Sequence, residues 1–234
     1  MNLLALETAT LHLSVALWCD GELIERGERV AQGGGERLLP WVNQLLGEAG
    51  LSMRQLDAVA FGSGPGAFTG LRLACGVAQG LACGLDLPLV GVSSLEALAF
   101  EASQLAFTET NIFSCLDARM GEVYFASYRF ADGQLKEIAP PAVAAPALLA
   151  ALPEDAWLGC GDGFEVYSGI LHERLQQLGQ LLPGLNPTAR AVAQRAVSYL
   201  KAGAGLEFAR AAPLYVRNKV ALTTAERLAR GGLR

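Results

Sequence analysis

Residues 62–70 read Gly-Ser-Gly-Pro-Gly-Ala-Phe-Thr-Gly, and the fold of this chain is decided around them. An apolar run from Leu56 to Phe61, with Asp57 as its one charge, leads into this stretch. The pattern that follows it, from Leu71 to Ala82, is helical and almost uncharged. The sequence therefore predicts a strand, a tight glycine loop and a helix. Glycine permits positive φ and a close approach of the backbone, and a helix N-terminus adds partial positive charge.

The glycine loop has two possible interpretations. One is a vestigial phosphate loop, because phosphate is the usual ligand at such a helix terminus. Its residues would be Gly62, Gly64, Gly66, Thr69 and Gly70. The other is a structural turn that packs the helix closely on its strand. The stretch matches neither common nucleotide motif, because it contains no lysine and its glycines do not follow the G-x-G-x-x-G spacing.

The composition indicates a folded protein with a large core. The chain has 234 residues, of which 52% are hydrophobic and 18% charged, enough for one or two globular domains. The net charge of −5 argues against a protein that binds nucleic acid without a partner protein. No basic leader and no apolar run of ~20 residues is found, so we expect a cytoplasmic protein without membrane contact. Five single cysteines are expected to be buried, reduced thiols: Cys19, Cys75, Cys83, Cys115 and Cys160.

The chain begins with three consecutive strand candidates. They are predicted at 3–10, 11–19 and 22–30, with Asp20-Gly21 as the hairpin turn between the last two. One face of the second strand is fully apolar, and His12 on the other face is expected to be solvated. Residues 7–10, Glu-Thr-Ala-Thr, end the first strand and are either a ligand contact or a polar turn.

Two helices carry the features of an interaction surface. Trp41 lies on the polar side of the helix predicted from Glu36 to Ala49, either at the shoulder of the core or at a protein interface. The helix after the glycine loop is rich in small residues, which allow another helix to approach closely. A helix with so few polar residues must bury most of its surface, either against the rest of this fold or against a second chain. The predicted partner interface consists of Trp41, Arg72, Gly76, Gln79, Gly80 and Cys83.

A second unit begins near Asn111 and repeats the hairpin pattern. Its strands are predicted at 112–116, 123–130, 134–138 and 156–160. Pro140-Pro141 is predicted to lie in a loop. Two helices follow, one lined by apolar residues from 167 to 178 with His172 on its surface, and one lined by residues 192–200.

The last residues and the division into lobes complete the prediction. Residues 213–217 are predicted to be extended, and residues 221–230 to form a short basic helix or a frayed end. Residues 1–105 form a predicted N-terminal lobe that binds the partner. Residues 106–234 form a smaller C-terminal lobe, with a terminal helix that packs back on the first lobe.

This order of elements resembles the actin/hexokinase/Hsp-seventy ATPase-like (ASKHA) fold, which is an α/β architecture of two lobes, each a mixed sheet flanked by helices. The motifs are similar to those of the TsaB family, bacterial proteins of tRNA threonylcarbamoyladenosine biosynthesis. They are Leu6-Glu7-Thr8-Ala9-Thr10, Glu36-Arg37-Leu38-Leu39-Pro40, residues 62–72, residues 91–95, residues 117–124 and Tyr215-x-Arg217. Together they cover nearly the whole chain.

The resemblance implies a non-catalytic paralogue of TsaD with no catalytic residue, metal or cofactor of its own. TsaD has two metal-binding histidines on the helix that corresponds to residues 94–98, where this chain has Ser94 and Leu98 and keeps Glu96. The wider fold has Asp where this chain has Glu7. Arg119 occupies the second phosphate hairpin, and both departures are expected to oppose ordinary ATP binding.

One motif departs from the TsaB family itself. Members commonly have His-Ser before the glutamate that begins the first helix, and this chain has Gly34-Gly35 before Glu36. The role of that histidine is therefore in doubt here.

The implied role is a scaffold subunit that binds and activates TsaD in a heterodimer. With TsaE, this pair would transfer a threonylcarbamoyl group to the adenosine next to the anticodon of ANN-decoding tRNAs. The chain would reach tRNA only through the complex, and would form a homodimer when TsaD is absent. A nucleotide at the interface shared with TsaD stays open. The alternative function is a nucleotide-binding ATPase or small-molecule kinase of the same fold.

Overall fold

The computed structural model describes residues 1–30, 34–106 and 109–217. The first half of the chain forms a five-stranded mixed sheet. Its strands are β1 (Asn2–Glu7), β2 (His12–Cys19), β3 (Glu22–Arg29), β4 (Ala58–Gly64) and β5 (Leu89–Ser93). Their order in the sheet is β3-β2-β1-β4-β5, with β1 antiparallel to β2 and parallel to β4. Its helices are α1 (Gly35–Glu48), α2 (Phe68–Leu85) and α3 (Ser94–Ser103).

The second half forms another five-stranded mixed sheet. Its strands are β6 (Thr110–Arg119), β7 (Glu122–Ala131), β8 (Gln134–Ala144), β9 (Trp157–Cys160) and β10 (Leu178–Leu182). Their order is β10-β9-β6-β7-β8. The helices are α4 (Gly163–Val166), α5 (Ser168–Arg174) and α6 (Ala189–Lys201). Two mixed sheets flanked by helices confirm the predicted two-lobed α/β fold.

Both faces of β2 are covered. α1 and α2 pack on its leucine face, and α6 packs on the other face, where Ser14 and Ala16 are fully buried. The Ser14 hydroxyl accepts a hydrogen bond from the Ala189 N–H at the start of α6, at 2.8 Å. His12, expected to be solvated, is half-buried. The face with Ser14 and Ala16 is covered by α6, which begins 175 residues after Ser14. The alternation of residues within one strand cannot reveal a contact with so distant a helix.

Two predictions in the second half were wrong. Pro140-Pro141 lies inside β8 rather than in a loop, because β8 is an edge strand and the pairing register with β7 shifts near these residues. The helix predicted through Leu178 ends at Arg174, and Leu178 begins β10. The spacing of these leucines fits an edge strand as well as a helix, and here β9 provides the pairing edge for a largely exposed β10.

The cysteine prediction holds in part. Cys75, Cys115 and Cys160 are buried, but Cys83 is exposed on α2 and Cys19 is half-buried. Burial raises the pKa of the Cys160 thiol to about 12, so the thiol stays protonated. All five thiols are free.

Within the described residues, α2 is the one helix whose length and composition would suffice to cross a membrane, a test that a core helix also passes. Its Leu71, Ala74 and Ala78 are buried, and the two alanines join the core of the first sheet. The predicted basic helix at 221–230 lies outside the described residues.

α3 connects the cores of the two sheets. Ser93 caps it, because its hydroxyl accepts from the Glu96 N–H. Leu95 and Leu98 on α3 are fully buried in the core of the second sheet, while Ala97 packs in the core beneath α6. The predicted lobe boundary at residue 105 stays a prediction.

Glu96 in the first turn of α3 is held by two side chains of α6. Its Oε1 accepts from Arg195 Nε at 2.6 Å and from the Tyr199 hydroxyl at 2.5 Å. Arg195 also donates to the Leu135 carbonyl of β8. Burial, and then the nearby Glu96 carboxylate, raise the pKa of Tyr199 to about 12, so its hydroxyl remains a donor at neutral pH. Glu96 therefore joins α3, α6 and the second sheet.

We expect Glu96→Ala to lower the free energy of unfolding by about 3 kcal/mol, because it leaves the largely buried Arg195 guanidinium without its carboxylate. Urea unfolding followed by circular dichroism measures this change. Glu154→Ala removes an exposed carboxylate and serves as the control. If both variants unfold at the same urea concentration, the ion pair does not stabilise the fold.

Candidate functional site

A cleft of about 240 Å³ lies between the glycine loop and the hairpin that joins β6 to β7. The turn after β1, the glycine loop, the end of β6 and residues 214–217 form its walls. Apolar side chains make up much of the lining, and seven side chains with polar groups line it: Thr10, Asp117, Arg119, Tyr124, Asp162, Tyr215 and Arg217. Of the five predicted phosphate-loop residues, Gly66 is the one that borders this cleft.

The glycines of the loop are explained by how closely the loop packs on the end of β1. A Cβ at position 62 would lie 2.0 Å from Glu7 Oε2, and one at position 70 would lie 1.9 Å from the Thr8 carbonyl oxygen. A Cβ at position 66 would lie 2.4 Å from the carbonyl oxygen of Ala9. Contacts within the chain thus require these three glycines, and Thr69 stands exposed at the start of α2. The phosphate loop stays a prediction.

Glu7 is fully buried where β1 meets the glycine loop. Its Oε1 accepts from the Ala9 N–H at 2.6 Å, and its Oε2 accepts from the Ser94 hydroxyl at 2.9 Å. Burial raises the pKa of this carboxyl, and the two hydrogen bonds lower it only in part. Ser94, at a position where the paralogue is expected to have a metal-binding histidine, therefore binds the carboxylate at the end of β1.

The β6–β7 hairpin forms the opposite wall of the cleft. Arg119 has φ +60°, and its guanidinium lies 3.1 Å from Asp117 Oδ2. The Arg119 N–H donates to Asp117 Oδ1 at 2.8 Å, and the Asp117 N–H donates to Asp162 Oδ1 at 2.9 Å. Burial, and then the nearby Asp117 carboxylate, raise the pKa of Asp162, while its hydrogen bond from the Asp117 N–H lowers it. Both carboxylates are thus engaged by the hairpin itself.

The outer face of α2 is an open stripe of residues four apart. Phe68, Arg72, Gly76, Gly80 and Gly84 are all exposed. Nothing lies within 4 Å of a Cβ built at any of these three glycines, so the middle of the stripe is smooth and accessible. Their backbone can therefore meet another helix closely. Cys83, also exposed, lies beside the stripe.

The six predicted interface residues do not all share this surface. Arg72, Gly76, Gly80 and Cys83 are exposed on α2. The Gln79 amide instead donates to the carbonyls of Phe208 and Ala211, at 3.2 and 2.8 Å, and is half-buried. Trp41 is half-buried and packs against the core of the first sheet.

Sequence analysis missed a cluster at the N-terminal end of the stripe. The rings of Phe68 and Tyr215 lie 6.1 Å apart, and the Arg72 guanidinium lies 3.9 Å from the Phe68 ring centroid. Arg72 Nε also donates to the Tyr215 hydroxyl at 3.3 Å. The signal was present in the Tyr215-x-Arg217 motif, but residues 143 positions apart show no local pattern.

Comparison with known proteins gives consistent results. A family profile described as "TsaD: tRNA N6-adenosine threonylcarbamoyltransferase" matches residues 28–222. The tRNA threonylcarbamoyladenosine biosynthesis protein TsaB of Escherichia coli is 35% identical over 94% of this chain and 96% of its own length. Its Haemophilus influenzae namesake is 46% identical over 54% of this chain and 53% of its own length. The structure named YeaZ from Pseudomonas aeruginosa has a TM-score of 0.84 and 39% identity, covering 92% of this chain and 99% of its own.

Two glycines of α2 provide a matched test of the packing. We expect Gly70→Ala to lower the free energy of unfolding by about 3 kcal/mol, because the new methyl group overlaps the Thr8 carbonyl. Gly76→Ala, in the same helix, should raise it by about 0.5–1 kcal/mol, because alanine favours the helix and meets nothing. Thermal and urea unfolding measure both. Equal effects at the two positions would contradict the packing described for the loop.

The raised pKa of the buried Glu7 carboxyl predicts a specific pH dependence of the free energy of unfolding. Because its folded pKa lies above its ordinary value of 4.5, the folded chain binds this proton more tightly than the unfolded chain. The stability contributed by the protonated carboxyl is fully present below pH 4.5 and is lost as the pH rises through the raised folded pKa. Glu7→Gln keeps the bond from the Ala9 N–H, its amide N–H can donate to the Ser94 hydroxyl in place of the bond that Ser94 donates, and the neutral amide should remove this loss. Urea midpoints of both proteins between pH 4 and pH 8 measure it, and parallel curves would contradict the assignment.

Proposed function

The chain belongs to the TsaB family of tRNA threonylcarbamoyladenosine biosynthesis proteins, and we propose that it is a non-catalytic subunit that binds and activates TsaD. With TsaE, the pair transfers a threonylcarbamoyl group to the adenosine next to the anticodon of ANN-decoding tRNAs. tRNA is reached through the complex, and the proposed location is the cytoplasm. In the absence of TsaD, the same surface pairs two copies of the chain.

The open stripe on α2 carries this proposal. The sequence predicts that a helix this apolar buries most of its surface. In the fold the inner side of α2 is buried, whereas Gly76, Gly80 and Gly84 remain exposed to solvent. A smooth stripe made of glycines at every fourth position is suited to a partner helix packed at short distance. TsaD is the proposed partner because its family profile extends across α2, so TsaD has an equivalent helix to offer. Two related surfaces pair naturally about an approximate two-fold axis.

The packing of the glycine loop and the start of α3 behind the cleft supports a role without chemistry. Close contacts with β1 account for Gly62, Gly66 and Gly70, and Glu7 is engaged by the chain itself. Leu98, at the other position where the paralogue is expected to have a histidine, is fully buried in the core.

The alternative function is a nucleotide-binding ATPase or small-molecule kinase. The cleft of about 240 Å³ beside Gly66 of the glycine loop favours it. Calorimetry with ATP and magnesium on the isolated chain separates the two functions, because the subunit function predicts no heat of binding in the absence of TsaD.

The proposal predicts that threonylcarbamoyl transfer depends on this chain. In a mixture of TsaD, TsaE, the adenylate-forming enzyme and tRNA, we expect modification with the chain present and its loss when the chain is omitted. Nucleoside analysis of the tRNA measures the product. Transfer that is unchanged by omission, or ATP hydrolysis by the chain alone, would overturn the proposed function.

We also expect Gly80→Trp to weaken TsaD binding about tenfold, equivalent to about 1.4 kcal/mol, because the indole would hold the two helices apart. Gly169→Trp, on the exposed side of α5, adds the same bulk away from α2 and is the control. Surface plasmon resonance with immobilised TsaD measures both, after thermal unfolding has shown that the variants fold. Unchanged affinity of the Gly80 variant would move the binding surface elsewhere.

A further inference from the structure

Phe68, Arg72 and Tyr215 form an exposed cluster at one end of the α2 stripe, here called the aromatic clamp. Phe68 and Tyr215 remain 49% and 50% exposed, although each contacts the other members of the cluster. Large aromatic side chains left half in water around an arginine are unusual on a surface that makes no contacts, and this composition is typical of the dominant residues of protein interfaces.

We propose that the aromatic clamp is the anchor of the TsaD-binding surface, an inference that rests on the proposed function. Phe68 and Arg72 are the first two members of the stripe that continues through Gly76 and Gly80. Within the stripe itself, the bulky side chains therefore stand at the N-terminal end of α2. The glycines permit the approach, and the clamp supplies the apolar area and the arginine that dominate binding energy.

Tyr215 belongs to a strap that ties the clamp to both halves of the chain. Next to it, the Leu214 N–H donates to the Ser63 carbonyl of the glycine loop at 2.7 Å. Two residues on, Arg217 donates to the Ala118 carbonyl at 2.9 Å and to the Glu122 carboxylate at 2.5 Å, both on the β6–β7 hairpin. The clamp is thus assembled from α2 and from a segment anchored to the second sheet, so it is complete only when the two halves hold this arrangement.

The partner is therefore expected to contact the C-terminal segment as well as the N-terminal lobe. This extends the surface that the sequence predicts, which included Arg72 but neither Phe68 nor Tyr215. The cation of Arg72 is shared between the Phe68 ring and the Tyr215 hydroxyl, so the three side chains present one preformed surface. Preformed side chains lose little entropy on binding, which favours affinity.

Titration of purified full-length chain into TsaD, followed by calorimetry, tests the clamp. We expect Phe68→Ala and Tyr215→Ala each to weaken the Kd about tenfold or more. Tyr215→Phe keeps the ring and loses only the hydroxyl that accepts from Arg72, so it should retain most of the affinity. Leu148→Ala removes another large exposed apolar side chain, 77% exposed and in the second half of the chain, and should have no effect.

Each outcome decides between stated alternatives. If the unaltered chain does not bind TsaD, the proposed function fails. If it binds and the alanine variants bind equally well, the proposed function stands and the clamp is overturned. A loss of self-association in sedimentation velocity, with TsaD binding unchanged, would also overturn it and assign the clamp to a second copy of the chain. Thermal unfolding of each variant confirms that affinity is compared between folded proteins.

Discussion

Glu7 fills the space that a side chain at position 62 would need, and this contact fixes how β1, β4 and α2 meet. The carboxylate is fully buried between the glycine loop and α3, with hydrogen bonds to the Ala9 N–H and the Ser94 hydroxyl. A buried carboxyl is tolerated only when its oxygens have partners, so the turn after β1 and the start of α3 must lie where they do. The N-terminus of α2 then follows, because Gly70 rests on the Thr8 carbonyl.

The same contact determines what the cleft can offer to a ligand. The glycines of this loop are needed for packing against the end of β1, so their presence alone does not indicate a phosphate site. On the opposite wall the polar groups also have partners within the chain, since the carboxylates of Asp117 and Asp162 accept hydrogen bonds from the hairpin that carries Arg119. These two carboxylates are therefore engaged within the chain, while Phe68 and Tyr215 line the cleft and stand at the end of the α2 stripe.

Local patterns predicted much of the fold, and contacts between distant residues explain what was missed. Glycine and Asp-Gly signals located the hairpin at Asp20-Gly21, and the apolar spacing located α1, α2 and α6. The burial of Ser14 depends on a helix that begins at Ala189, and the hydrogen bonds of the Gln79 amide go to the carbonyls of Phe208 and Ala211. No periodicity within a window of ten to twenty residues contains that information. The family resemblance supplied the overall order of the lobes, and the sequence predicted Arg72, Gly76 and Gly80 for the α2 surface, whereas the structure added Phe68 and Tyr215.

Glycine has opposite roles along a single helix. At position 70 it is required because the chain itself lies where a side chain would be, and at positions 76 and 80 the space is empty. Glycine in an exposed helix costs about 0.5–1 kcal/mol relative to alanine, so packing within this chain gives no reason to keep it there. A partner that approaches the backbone closely gives such a reason. Since Phe68 and Arg72 stand at the end of the same stripe, the exposed glycines and the exposed aromatic cluster lie together on one surface.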